Sequence, residues 1–324
     1  MGELIYSKDG INQHLLRAFA PFPQSSNKEF AMRLFFAPFQ IALLLILNLA
    51  AASVWAATPI DVAVSIPPQK YFVQMIGGDH VTVEVLVPAN AEPETYEPTP
   101  RQIADLSKAD LYMEIGVPLE RAWLARFTAA NPKMVVVNTA RGIERMPMIR
   151  HDHAHGAAKG SGLDPHIWLS PVLVRIQAMN IRDALIKADP AHAADYLQGY
   201  ARLARKIDQV DSDILQSLVD HPLKQTRFIV FHPAFGYFAA AYGLTQVPIE
   251  IEGKEPGPRQ LGELIDFAKK NNIKVVFIEP QFAQKAAKTI ADSIGGEVVT
   301  IDPLQEDWPA GMEAIATALN KALR

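Results

Sequence analysis

The sequence predicts an α/β protein of two lobes, each a parallel sheet flanked by helices, joined by one long backbone helix. Three observations predict it. From residue 58, short apolar runs rich in β-branched residues alternate with segments of helical period. A second alternating set follows residue 220. Between the two sets lies a helical pattern far longer than its neighbours.

The first set begins with "IDVAVSI" (60–66) as a strand, followed by "PPQKYFVQMIGG" as a helix closed by glycines. "VTVEVLV" (81–87) is the next strand. A loop, "NAEPETYEPTP", follows, with three glutamates and three prolines. Thr99-Pro100 reads as an N-cap with Pro at the first helical position, opening "PRQIADLSKA". "DLYMEIG" and "MVVVN" are further short strands. Strands alternating with helices give the βαβ pattern of a parallel sheet.

Asp189-Pro190 starts the long helix and His221-Pro222 ends it. Ala193, Leu197, Tyr200, Ala204, Ile207, Asp211, Ile214 and Leu218 follow a spacing of three and four, which predicts one face. About 30 residues of helix make a rod about 45 Å long, enough to back both lobes. Beyond it, strands are predicted at 227–231, 246–251, 274–279 and 297–301, with "PRQLGELIDFAKKNN" as an intervening helix. The lobes are therefore expected at 58–188 and 222–324, with the connecting helix at 189–221.

Nearly half of the 324 residues are hydrophobic, so a large core can form. A net charge of -4 argues against a nucleic-acid partner, which would select a basic excess. With no cysteine there is no disulfide, no thiolate metal site and no Cys nucleophile. Met32-Arg33, the apolar stretch after it and the small-residue end read as a secretory signal over 32–57, cleaved after Ala56. A membrane anchor is the competing reading of that stretch. Pro38, Gln40 and Asn48 interrupt it and favour the signal. Residues 1–31 are an unusual extension ahead of a signal, and Met32 is the expected working start.

Ligands of parallel α/β sheets sit beyond the carboxyl ends of the strands. The polar residues there are Glu94, His232, Glu279 and Asp302, and His166 stands in "DPHIWLSP" before a helix. Glu94, His166, His232 and Asp302 make two imidazoles and two carboxylates, two from each lobe. Such a set suits a divalent first-row metal. Each taken alone has a plainer reading: a capping or core histidine, or a solvated carboxylate. Glu279 reads as a supporting or loop residue about as readily as a ligand.

The segments "PANAEPETYEPTPRQI", "DPHIWLSP", "FHPAFGYF", "IEGKEPGPRQL", "FIEPQF" and "IDPL" occur in this order. Together they resemble the zinc- and manganese-type periplasmic solute-binding proteins of ABC importers, the cluster A-I family. The resemblance runs from about residue 58 to the end. It implies a metal held between the lobes, with His166, His232 and Asp302 at family ligand positions. Glu94 is the departure, because the family has histidine there, in Pro-His-x-Tyr-Glu-Pro. Two carboxylates and two neutral imidazoles leave a bound divalent ion formally neutral, which moves preference towards Mn²⁺ or Fe²⁺ without excluding Zn²⁺. Zinc members often carry a His-rich loop between the first two ligands. Here "HDHAHG" supplies His151, His153 and His155, either a metal-collecting loop or a solvated one.

The resemblance implies a periplasmic receptor, monomeric and not an enzyme. It would capture a divalent metal, zinc first, and hand it to the membrane subunits of an ABC permease. A secreted metal-dependent hydrolase is the competitor from another class, since the same ligands could activate a water. No H-E-x-x-H motif supports it. A metal-dependent adhesin would lack any repeat or surface signature in this sequence.

Overall fold

The apolar runs pair as two parallel sheets, one from each half of the chain, in a computed structural model that describes residues 58–148, 162–250 and 254–324. The expectations for residues 1–57 lie outside the described residues. The first sheet holds β1 (Ile60–Val64), β2 (Val81–Val85), β3 (Leu111–Glu114) and β4 (Val135–Asn138), in the order β2-β1-β3-β4. The second holds β5 (Arg227–Val230), β6 (Thr245–Pro248), β7 (Val275–Ile278) and β8 (Glu297–Thr300), in the order β6-β5-β7-β8. The two sheets have the same topology. In each, the strand order reverses beside the first strand, which opens a crevice at the carboxyl ends. The inner strand β7 is buried along its whole length, as expected where helices cover both faces.

The helices are α1 (Pro67–Gly77), α2 (Pro100–Leu106), α3 (Pro118–Ala130), α4 (Pro171–Ala188), α5 (Ala193–Asp220), α6 (Gly236–Ala241), α7 (Pro258–Lys270), α8 (Lys285–Ile294) and α9 (Trp308–Leu323). Proline opens α1, α2, α3, α4 and α7, where its missing N–H has no intrahelical acceptor to lose. Thr99 caps α2 as expected: its hydroxyl accepts from the Gln102 N–H at 3.3 Å. Among the described residues no helix is long and apolar enough to cross a membrane.

The long helix α5 runs 28 residues, preceded by a 3₁₀ turn at Pro190–His192. It packs on α1 and α4 of the first half and on α9 of the second. Its buried stripe is Tyr196, Gly199, Leu203, Ile207, Val210 and Ile214. That stripe is rotated from the expected face: Leu197 is exposed and Tyr200 and Ala204 are only half-buried. The cause is Gly199, which lets α1 approach so closely that a Cβ there would lie 2.1 Å from the Ile76 carbonyl oxygen. Asp211, the polar member of the expected face, accepts the Tyr242 hydroxyl at 2.8 Å.

Residues 58–324 form one compact unit. A single apolar cluster runs from β1 and β3 through Tyr196 and Ile207 of α5 to Phe228, Phe238 and Trp308 of the second half. A separate cluster, including Ile229, Val276 and Ile290, fills the far face of the second sheet.

One buried carboxylate shapes the loop after β3. Glu120 accepts the Ile115 N–H at 3.0 Å, the Gly116 N–H at 2.5 Å and the Ser65 hydroxyl. Arg145 donates to the Ile115 and Gly116 carbonyls from the other side. Gly116 has φ of 94°, which L side chains rarely adopt. Burial pushes the Glu120 carboxyl up to about 7, against the opposing hydrogen bonds from Ser65, Ile115 and Gly116.

Two outcomes are expected. Gly199→Val should lower stability by about 1–3 kcal/mol or more through overpacking against Ile76, read by urea unfolding. For Glu120 the folded pKa lies above the unfolded one, so its contribution is fully present below pH 4.5 and is lost as pH rises to about 7. The stability of the parent relative to Glu120→Gln should therefore fall by roughly 3 kcal/mol across that window and stay flat above it.

Candidate metal centre

Each side chain of the site is placed by a short loop after a strand or before a helix. Glu94 sits in the loop between β2 and α2. Gln102 closes that loop, donating to the Leu86 carbonyl at 2.6 Å and accepting the Tyr96 hydroxyl at 2.9 Å. Within the loop the Glu94 N–H donates to Glu92 Oε1 at 3.1 Å. His166 precedes a 3₁₀ turn at Ile167–Leu169 that leads into α4. His232 follows β5, and buried Gln246 of β6 pins the next residues by bonding the Phe235 N–H at 2.9 Å and the Pro233 carbonyl at 3.1 Å.

These loops bring Glu94, His166 and His232 together, with one ligating atom from each within 4.8 Å of the others. The Nε2 atoms of His166 and His232 lie 3.2 Å apart, and Glu94 Oε1 lies 3.7 Å from His232 Nε2. Each imidazole is fixed on its other nitrogen. His166 Nδ1 meets Asp164 Oδ1 at 2.7 Å, and His232 Nδ1 meets Glu250 Oε1 at 2.9 Å. A carboxylate on Nδ1 holds the proton there and turns the Nε2 lone pair inwards. Phe282 stacks on the His232 ring, with centroids 5.5 Å apart.

Burial alone would depress the His232 imidazole. The Glu250 hydrogen bond and charge, with the charges of Glu94 and Glu92, outweigh it and push the group up to about 10. The site thus attracts positive charge strongly. The cavity is lined by Glu92, Glu94, His166, His232 and Gln281, among others, with Val117 and Trp168 supplying apolar wall.

The other expected site residues are placed as follows. Asp302 is half-buried and stands outside the three-residue group. Its Oδ1 accepts the Leu304 N–H at 2.8 Å, while Pro303 and Leu304 line the cavity. Glu279 is buried beneath the His232 backbone, its Oε2 accepting that N–H at 3.3 Å. Burial pushes the Glu279 carboxyl up to about 8, opposed mainly by the His232 charge. His151, His153 and His155 lie outside the described residues.

Cross-lobe bonds converge on the same place. Trp168 Nε1 donates to the Pro303 carbonyl at 2.8 Å, and Trp308 Nε1 donates to the Trp168 carbonyl at 2.7 Å. The Tyr237 hydroxyl donates to the Asp164 carbonyl at 3.1 Å and accepts the Met146 N–H at 3.0 Å.

Residues 62–322 match the family model described as ZnuA, zinc-uptake complex component A, periplasmic. The chain belongs to this family. It is 33% identical over 250 residues to the high-affinity zinc uptake system protein ZnuA of Bacillus subtilis, covering 74% of this chain and 76% of that protein. It is 34% identical over 236 residues to the iron-binding protein YfeA of Yersinia pestis, covering 71% of this chain and 74% of that one. A ZnuA crystal structure superposes with a TM-score of 0.77 at 44% identity, covering 82% of this chain and all of that one.

In this ZnuA-family chain, sequence reasoning missed Asp164 and Glu250. Asp164 was open to discovery, since it stands two residues before His166 and bonds both its N–H and its ring. Glu250 was not, because it reaches His232 from the next strand end, 18 residues away. Asp164→Asn and Glu250→Gln should each weaken metal affinity about 10–100-fold by freeing the imidazole, with secondary structure by circular dichroism unchanged. Competition with a chelating dye would measure it.

Proposed function

We propose that this protein is the periplasmic receptor of an ABC importer and carries a divalent metal ion, zinc first. The observation that carries the reading is the convergence of the His166 and His232 Nε2 atoms and the Glu94 carboxylate on one buried point. Two nitrogens and an oxygen suit Zn²⁺, and they also accept Mn²⁺ and Fe²⁺. The iron-binding name of one relative keeps Fe²⁺ as the second reading. Asp302, carried over by resemblance, is the proposed further ligand, reached when its carboxylate turns from the Leu304 N–H.

Capture and release need no general base. The protein works as a monomer in this reading. It is exported by the 32–57 segment and delivers its cargo to the permease membrane subunits.

The test is thermal unfolding of the metal-stripped mature protein with Zn²⁺, Mn²⁺ or Fe²⁺. A ligand at about a hundredfold excess over its Kd adds about 2.7 kcal/mol to stability. Zn²⁺ is expected to raise Tm most. His166→Ala and His232→Ala should abolish the shift, and Asp302→Ala should weaken it. A parent protein that none of the three ions stabilises would sink the receptor reading.

A further inference from the structure

Two lining residues of the metal cavity carry buried oxygens that accept no hydrogen bond from the described residues. They are Glu92 Oε2 and Gln281 Oε1, one from each half of the chain. A buried acceptor left without a partner costs about 1–3 kcal/mol, so such atoms are kept where something fills them. Glu92 is anchored by its other oxygen to the Glu94 N–H at 3.1 Å, which fixes the carboxylate plane and leaves Oε2 free. Gln281 lies between Glu279, which supports His232, and Phe282, which stacks on the His232 ring.

Glu92 lines the cavity without belonging to the group of ligating atoms that lie within 4.8 Å of one another. A free acceptor in the lining can bond a donor carried by a bound metal. A water on a divalent ion has two O–H donors, and two free acceptors line this cavity. We infer that Glu92 and Gln281 are specificity-determining residues, accepting the O–H groups of a water bound to the cargo ion. The inference rests on the receptor reading above.

The consequence is selective. Zn²⁺ is satisfied by four ligands, whereas Mn²⁺ and Fe²⁺ take more oxygen ligands, water among them. Holding that water adds an oxygen position and keeps the site open to the harder ions. Replacing the histidine expected at position 94 by glutamate moves selection the same way.

The test uses the full mature chain, stripped of metal, with Zn²⁺ and Mn²⁺ affinities measured by competition. Glu92→Gln keeps an amide oxygen for the Glu94 N–H and exchanges the free acceptor for an NH₂ donor. Gln281→Met removes the other acceptor at similar volume. Each variant is expected to lose tenfold or more in Mn²⁺ affinity and less than about threefold in Zn²⁺ affinity. Mn²⁺ electron paramagnetic resonance in ¹⁷O-enriched water should show line broadening from a bound water in the parent. Equal losses for both ions would assign the two residues a structural role and overturn the inference, as would a parent without ¹⁷O broadening. A parent that binds neither ion would instead remove the receptor reading itself, and this inference with it.

Discussion

Two imidazole Nε2 atoms held 3.2 Å apart inside the protein are the constraint on which the site depends. Lone pairs so close repel unless a positive charge lies between them. The carboxylates of Glu250, Glu94 and Glu92 favour such a charge, pushing the His232 imidazole up to about 10 against its burial. A divalent cation supplies it better, because it accepts both lone pairs and the Glu94 carboxylate at once. Protons and a metal ion compete for the same imidazole nitrogens, so affinity for metal falls as pH falls. The arrangement holds only if each ring is fixed from behind, as Asp164 and Glu250 do.

The rest of the fold keeps those two rings facing each other. His166 belongs to the first half and His232 to the second, yet one apolar cluster and α5 run beneath both. The indole bonds of Trp168 and Trp308 and the Tyr237 hydroxyl lock the His166 loop to the second half at short range. Exposure is graded across the site: 25% for the Glu94 side chain, 7% for His166 and 4% for His232. Water and ions thus reach the cluster from the Glu94 side. Fewer bonds hold that loop, and Gln102 supplies its main closure.

The sheets were legible because parallel strands bury both faces and read as unbroken apolar runs, as in β7. The rotation of the α5 stripe was not legible, because it depends on how closely Gly199 meets Ile76, and periodicity carries no information about the partner helix. The same division applies to the site. Glu94, His166 and His232 follow strand ends or precede a helix, so position alone suggested them. Glu250 acts across the fold, and only the pairing of β5 with β6 brings its loop to His232. Glu92 is one of three glutamates in its loop, and burial of one carboxylate oxygen is not written in local spacing.

Glutamate at position 94 gains its meaning from these neighbours. A histidine there would place three imidazoles among the carboxylates of Asp164, Glu250 and Glu92, and a divalent ion would meet mostly nitrogen. Glu94 instead adds negative charge to a site already rich in it, raising the attraction for any cation, the proton included. Charge alone therefore does not select among metals, because all the candidates carry the same charge. Selection must come from the number and hardness of the donors. With Glu94, His166 and His232 as the proposed ligands, that number would depend on the groups lining the cavity around them, Glu92 and Gln281 included.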